Sequence, residues 1–582
     1  MLARSWRRTT ITVLVVIAIA VTVVVSGYSR WFTSPSPGPK DENETIALID
    51  DTQRKYLWDV EHHVLVLSKH WFREIAQHLS RGDASGLTSH FPESFTGTVL
   101  EKPLDERVKT SFVDVVRQKS SAAPARQLKR DEMVAYLLGW RSKFTKPPQV
   151  GLFPKSLAPR DRETLEGDWT GMGVLRMWGE RGPGQPTEIV LRFQFAIPAP
   201  KKALEPGWLR ELTVTQTQEA HAEKYLLRDV TRDRNIDPNQ FHDNWKEKDK
   251  VPTTGGVYLA DFNRDGILDM LVVDIRSYCL FQGLPDGKFS NVTSEVGLPA
   301  APPPGPAFSF AAFVDIDGDG WEDLLMGGQV YRNDQGKRFI DHTHKTNLRL
   351  PLNATGVVIA DFDRDGRMDI YSTVPGKGKT KSWIDGHSGL KEGNQLWRNL
   401  GDWKFEDVTA ASNTSGGSRS VFSAVWLDAN NDGLPDVYVP NEFGNGVLLV
   451  NRGNGTFREQ MIMSGPRDFG TMGIACGDIN NDGHMDLYLA NMYSKTGSRI
   501  IGNVKPGSYP EEIMAKMRRF VSGSQLHLNR GELQFQHVAE DWQMNDVGWA
   551  YGPALIDLDN DGFLDVFATS GFMSFDKGEP DG

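Results

Sequence analysis

Six times from Asp261 onward this 582-residue chain repeats one nine-residue phrase, Dx[DN]xDGxxD. The copies are DFNRDGILD (Asp261 to Asp269), DIDGDGWED (Asp315 to Asp323), DFDRDGRMD (Asp361 to Asp369), DANNDGLPD (Asp428 to Asp436), DINNDGHMD (Asp478 to Asp486) and DLDNDGFLD (Asp557 to Asp565). Their first aspartates stand 54, 46, 67, 50 and 79 residues apart. A period of about 40–50 residues is the length of one propeller blade, and the two long intervals need insertions.

Each phrase lies between apolar stretches, VYLA and MLVV around the first, VVIA and IYS around the third, so it reads as a hairpin loop. A second signature follows in most units: LWRNLGDWKFEDVT (Leu396 to Thr409), VYRNDQGKRFIDHT (Val330 to Thr343) and LLVNRGNGTFRE (Leu448 to Glu459), with weaker forms at Leu280 to Thr293 and Leu526 to Val538. Strand, Asn/Gly turn, strand is a second hairpin, and two hairpins per repeat make the four-stranded sheet of a β-propeller. The 57 glycines and 32 prolines suit so many turns. The expected fold class is mainly β: a six- or seven-bladed propeller over residues 226–582, preceded by a transmembrane helix and an α+β domain. Only seventeen residues follow Asp565, too few for a second hairpin. The segment LLRDVT (Leu226 to Thr231) is expected to complete the last blade, with a truncated sequence as the alternative. The long intervals contain a Gly/Lys-rich insertion, Gly376 to Gly393, and an amphipathic helix, Tyr509 to Phe520.

The phrase offers oxygen ligands, as calcium requires: a hard cation takes six to eight of them in flexible geometry. Position 1 supplies Asp261, Asp315, Asp361, Asp428, Asp478 and Asp557; position 3 supplies Asn263, Asp317, Asp363, Asn430, Asn480 and Asp559. Position 5 supplies Asp265, Asp319, Asp365, Asp432, Asp482 and Asp561. The Gly at position 6 permits the sharp turn, and position 7 offers the carbonyls of Ile267, Trp321, Arg367, Leu434, His484 and Phe563. Position 9 adds the carboxylates of Asp269, Asp323, Asp369, Asp436, Asp486 and Asp565. The early ligands follow EF-hand logic, but an Asp at position 9 and strand flanks exclude an EF-hand proper. Twenty-one aspartates in six loops repel one another unless cations bind, so about six Ca2+ sites are expected. Metal-free Asp-Gly turns favour the same composition and are the competing reading.

With these residues in view, the chain resembles the FG-GAP/VCBS repeat family, which includes the integrin α-chain propeller. The LxRNxGxxxFxDVT segments look most like its ASPIC/UnbV-associated, cartilage-acidic-protein-like group. Partial FG-GAP words stand at Phe469-Gly470 and Tyr551-Gly552-Pro553. The resemblance implies calcium at the quoted positions and a role in adhesion or ligand display, without catalysis.

At the other end, Arg4, Arg7 and Arg8 precede an uncharged apolar run from Thr9 to Gly27. Nineteen helical residues span about 28 Å, close to a bilayer's hydrocarbon core, and the arginines keep the N-terminus cytoplasmic. Residues 1–30 are read as a signal-anchor, with a cleaved signal peptide at Ala18 and Ala20 as the alternative. No cysteine follows the run, which excludes a lipoprotein anchor. Residues 31–43 are a Pro/Ser linker. The remainder is expected on the periplasmic or extracellular side.

Residues 44–225 change from helical to alternating periodicity. Helices are expected from Thr45 to Leu79 and at Asp131 to Trp140, with Asp131 as N-cap, followed by strands at Gly171 to Met177, Glu188 to Ala196 and Trp208 to Gln216. The order loosely resembles the SnoaL-like family, which implies a pocket at most. His62 and His63, adjacent on a helix, point apart and carry no catalytic expectation.

A net charge of −11 argues against nucleic acid as a partner. The two cysteines, Cys279 and Cys476, are too few and too far apart for a disulfide framework or a CxxC motif, and are read as buried small hydrophobes. No GxSxG, HExxH or P-loop occurs. The leading expectation is a membrane-anchored, calcium-stabilised scaffold binding protein or glycan at a propeller face, with no catalytic residues. The alternative is an exported hydrolase or a SnoaL-like enzyme with the propeller as accessory.

Overall fold

The computed structural model describes residues 51–570 except 102–103, 110–111, 120–124, 162–166, 201–204, 242–255, 275–276, 300–309, 352, 376–392, 418, 463–469, 494 and 506. The run Thr9 to Gly27 and the insertion from Gly376 to residue 392 lie outside them. Among the described residues no helix is long and apolar enough to cross a membrane. Two compact units emerge, one built from described residues up to Arg228 plus 495–514, the other from Asp229 to 493 plus 515–570.

The first unit is α+β. Helix α1 (Asp51–Val66) continues through a π-helical stretch (Leu67–Phe72) into α2 (Arg73–Arg81), which Gly82 ends in the left-handed conformation, φ 72°. The π-helical stretch turns Leu67, Trp71 and Phe72 all inward. Phe72 meets Phe193 and Phe195, and Trp71 packs on Trp208 at 4.9 Å between ring centroids. Helix α3 (Ala84–Ser89) and helix α4 (Arg130–Arg141) follow. The N-cap of α4 is Lys129, not Asp131, because Glu132 Oε2 reaches back to accept from Lys129 N–H at 2.8 Å. An eight-stranded sheet completes the unit, with its long antiparallel strands at Gln149–Pro159, Asp168–Gly182, Gln185–Pro198 and Glu211–Ala222. His63 stacks on Trp169 at 4.5 Å, a packing role. Helix α5 (Lys495–Asn503) joins this unit from far along the chain. Its Arg499 pairs with Glu61 at 2.6 Å, both side chains 9% exposed, and its Asn503 donates to Leu157 O at 3.3 Å.

The second unit contains five four-stranded antiparallel sheets and one two-stranded sheet. Sheet I comprises Val257–Ala260, Asp269–Val273, Tyr278–Gly283 and Phe289–Asn291; sheet II Ala311–Val314, Asp323–Met326, Gln329–Asn333 and Phe339–Asp341. Sheet III comprises Gly356–Ala360, Asp369–Thr373, Gln395–Gly401 and Lys404–Asp407; sheet IV Val425–Leu427, Asp436–Val439, Val447–Asn451 and Phe457–Gln460. Sheet V comprises Thr471–Gly477, Asp486–Asn491, Gln525–Asn529 and Phe535–His537; sheet VI is the hairpin Ala550–Ile556 and Asp565–Ser570. First strands of successive sheets pack together, the radial arrangement of a propeller. The insertion between the fifth and sixth phrases forms a second helix at Glu511–Phe520.

Five complete blades replace the six or seven expected, because the sixth phrase builds only its own hairpin among the described residues. LLRDVT does not complete that hairpin. It forms no strand, and the chain turns at Thr231 to reach sheet I: Phe289 N–H donates to Arg234 O at 3.0 Å, and Asn235 Nδ2 to Phe289 O at 3.1 Å.

Candidate metal centres of the propeller

Each phrase forms the tight loop between the first and second strands of its sheet, so all thirty predicted ligand positions are gathered loop by loop. Position 6 is glycine with φ between 81° and 88° in all six loops, a region costly for side chains. Position 4 is also left-handed, in Arg264, Gly318, Arg364, Asn431, Asn481 and Asn560. The position-1 carboxylate draws the loop closed: Asp261 Oδ1 accepts from Asp265 N–H at 3.0 Å and Oδ2 from Gly266 N–H at 2.8 Å. Position 5 fixes the next residue, Asp265 Oδ1 accepting from Ile267 N–H at 2.9 Å. In the second, third and sixth loops three carboxylates bring oxygens within 4.8 Å of one another: Asp315, Asp317 and Asp323; Asp361, Asp363 and Asp365; Asp557, Asp559 and Asp565.

Position 9 has a second duty. Asp269 Oδ2 accepts from Phe262 N–H at 3.1 Å and Oδ1 from Gly283 N–H at 2.8 Å, tying the loop to the third strand. Asp323, Asp369, Asp436 and Asp486 repeat both bonds. Burial raises these carboxyls, to about 6 in Asp269, Asp436 and Asp486 and about 7 in Asp323 and Asp369. The backbone donors pull the other way, and neighbouring loop aspartates push further up.

Calcium fits this donor set. Every side-chain ligand is a hard oxygen, and an oxygen that accepts one loop N–H keeps a second lone pair. Positions 1, 3, 5 and 9 would hold the ion with the position-7 carbonyl, and its charge would offset the crowded carboxylates.

Sequence reasoning missed two groups. The signature Asn is not a turn residue alone: Asn399, fully buried, donates through Nδ2 to Ile316 O of the preceding sheet at 2.8 Å and to Met368 O at 3.2 Å, and accepts from Gly401 N–H at 2.9 Å. Asn333, Asn451 and Asn529 make the same backward reach to Phe262 O, Phe362 O and Ala429 O. Sheet I has Gly283 at this place. The second group is the arginine preceding two of these asparagines, Arg332 and Arg398. Adjacent loops are also linked, since Asn431 Nδ2 donates to Gly483 O at 3.0 Å and Asn481 Nδ2 to Gly562 O at 2.8 Å.

A separate titratable cluster lies in the α+β unit, where Glu74, His78 and His90 bring ligand atoms within 4.8 Å of one another. Trp208 Nε1–H donates to His90 Nδ1 at 3.0 Å, and since indole only donates, the His90 proton sits on Nε2. Burial, then the nearby His78, pushes the His90 pKa down to about 4. His78 Nδ1 faces Asp83 Oδ2 at 2.8 Å. Of the cysteines, Cys279 is buried and Cys476 half-buried, both as free thiols.

A family model described as FG-GAP-like repeat matches residues 261–326, 315–372, 384–439 and 428–489. No curated protein matches the chain. Among solved structures, an Agrocybe aegerita lectin, studied for recognition of non-reducing terminal N-acetylglucosamine, aligns at 12% identity over 73% of this chain and 89% of its own, TM-score 0.31. A quinonprotein alcohol dehydrogenase-like protein of Bacteroides thetaiotaomicron aligns at 9% identity over 78% of this chain and 95% of its own, TM-score 0.22. At these TM-scores neither likeness bears on fold or ligand.

Proposed function

Because the chain belongs, through the repeats of residues 261–489, to the FG-GAP-like propeller family, we propose that it is a calcium-loaded binding scaffold, exported and held at the membrane by Thr9 to Gly27. A propeller face presents the binding surface, and its ligand is a protein or a glycan. The observation that carries this reading is the loop geometry: three carboxylates converge in each of the second, third and sixth loops, and in all six the backbone is set by left-handed residues at positions 4 and 6. Calcium here is structural. At free calcium about 100-fold above a site's dissociation constant, each ion stabilises the fold by about 2.7 kcal/mol, without simple additivity. The test is a thermal melt of the full chain in calcium and in excess chelator, with metal analysis of the purified protein. Several calciums per chain and a reversible fall in melting temperature on chelation are expected; no bound calcium and no shift would reduce the loops to Asp-Gly turns.

An enzyme in the α+β unit is the second reading, favoured by the His78–Asp83 pair, in which a carboxylate orients an imidazole. Ester or glycoside hydrolysis by the full chain, lost in His78→Gln with the fold retained, would select it over the scaffold.

A further inference from the structure

The six loops are of two kinds. Position 3 is Asn in the first, fourth and fifth loops, and Asp in the second, third and sixth. In the Asn loops the side-chain amide donates to the position-5 carboxylate: Asn263 to Asp265, Asn430 to Asp432 and Asn480 to Asp482, each at 2.9 Å. An Asp at position 3 cannot donate and adds a negative charge beside the others.

In both Asp loops whose sheet has a described third strand, an arginine of that strand takes the missing place. Arg332 donates through Nε to Asp317 Oδ2 at 3.1 Å and through Nη2 to Asp319 Oδ2 at 2.9 Å. Arg398 Nε lies 2.6 Å from Asp363 Oδ2, and its Nη2 donates to Asp365 Oδ2 at 3.2 Å. The residue at this position in the Asn-type sheets is Gln282, Val450 or Leu528. Gln282 reaches Asp265 Oδ2 only at 3.4 Å. Two further arginines touch the loops from other positions: Arg367 contacts Asp365, and Arg530 stands 3.6 Å from Asp482.

We propose that Arg332 and Arg398 are built-in counter-cations matched to Asp317 and Asp363, so that the second and third loops present nearly the same net charge to a divalent cation as the Asn loops. With position 9 ionised, Asp261, Asp265 and Asp269 give the first loop a charge of −3, and four aspartates with Arg332 give the second −3; the third, with Arg398 and Arg367, comes to −2, as does the fifth with Arg530 beside Asp482. The arginine therefore does two things at once. It replaces the position-3 donor to position 5, and it keeps an extra carboxylate from tightening one site far beyond the rest. This rests on the calcium reading for its effect on affinity, but the pairing itself is a property of the chain.

The experiment is a double-mutant cycle in the full chain. Asp317→Asn with Arg332→Gln converts the second loop, at these two positions, into the first loop's Asn263 and Gln282. Melting temperature is read in excess chelator, and calcium affinity by titration calorimetry. R332Q alone should lower the chelated melting temperature by about 1–3 °C and tighten calcium at one site by about tenfold. D317N alone should weaken that site by a similar factor. The double variant should return both readings close to wild type, as should D363N with R398Q in the third loop. The two affinity shifts are opposite in sign and cancel by addition, so coupling is read from the chelated melting temperature: R332Q should have little effect in the D317N background, and an R332Q loss as large there as in wild type, or an R332Q that leaves calcium affinity unchanged, overturns the proposal. If no variant, nor wild type, takes up calcium while the melting temperatures still couple, the charge matching stands and the calcium reading falls.

Discussion

In the α+β unit Trp71, Phe72, Phe193, Phe195 and Trp208 share one apolar core to which all four long strands contribute. The propeller has no such common core among its described residues. Five small clusters lie between successive sheets: Leu271 with Leu324, Leu325 with Ile370, Tyr371 with Val437, Tyr438 with Leu487, and Tyr488 with Val566. Each of the first four of these contacts is pinned by a buried Asn, and the loops above are drawn in by aspartates. A single core makes stability collective, whereas nearest-neighbour contacts make it local and sensitive to what the loops bind.

The largest effect is expected where the core is shared. Phe72→Ala removes a fully buried ring that meets Phe193, Phe195 and Trp208. It should cost about 3–5 kcal/mol and lower hydrogen-exchange protection across every long strand of the unit. Loss confined to the neighbours of residue 72 would break the contrast.

Asn399→Ala is the propeller counterpart. It leaves the buried carbonyl of Ile316 without its donor and should cost about 1–3 kcal/mol. Protection should fall in sheets II and III and hold in sheet V. A loss spread over all the sheets would show that the propeller is as collective as the α+β unit.

The smallest effect concerns Glu442, whose Oε2 accepts from Ser420 Oγ at 2.9 Å. Burial raises this carboxyl to about 8, so it is neutral in the folded chain at neutral pH. Its folded pKa lies above the unfolded value, so its contribution is complete below about pH 4.5 and is lost as pH rises through about 8. Glu442→Gln should flatten that slope and gain about 1 kcal/mol near pH 7.5, less than the full linkage because the amide brings two donors to be housed. An unchanged pH profile of chelated melting temperature would show that the group is not the source of the slope.

The contrast also explains what could be read in advance. The loops and hairpins were legible because their information is local: the phrase with its glycine at position 6 recurs six times and the second-hairpin signature five. The blade count was not: the shortage of chain after Asp565 left the sixth hairpin in need of a partner, and nothing in LLRDVT showed that Thr231 to Asn235 turns toward Phe289 instead. The clasp asparagines carried an ambiguous signal, because Asn before Gly also suits a turn, and only burial separates the two. The pairing of Arg332 with Asp317 was visible as a covariation among repeats but meant nothing until the third strand was seen beside the loop. In the α+β unit the change of period exposed helices and strands, while the buried Arg499–Glu61 pair joins residues 438 positions apart and leaves no local trace.

The direction of the asparagine clasps bears on how the propeller is assembled. Each one reaches backwards, from Asn333 to Phe262, from Asn399 to Ile316, from Asn451 to Phe362 and from Asn529 to Ala429, while Gly283 at the start reaches nowhere. During synthesis the chain emerges from its N-terminus, so each new sheet would latch the one already delivered. The propeller would harden like a ratchet, always one tooth behind its growing edge.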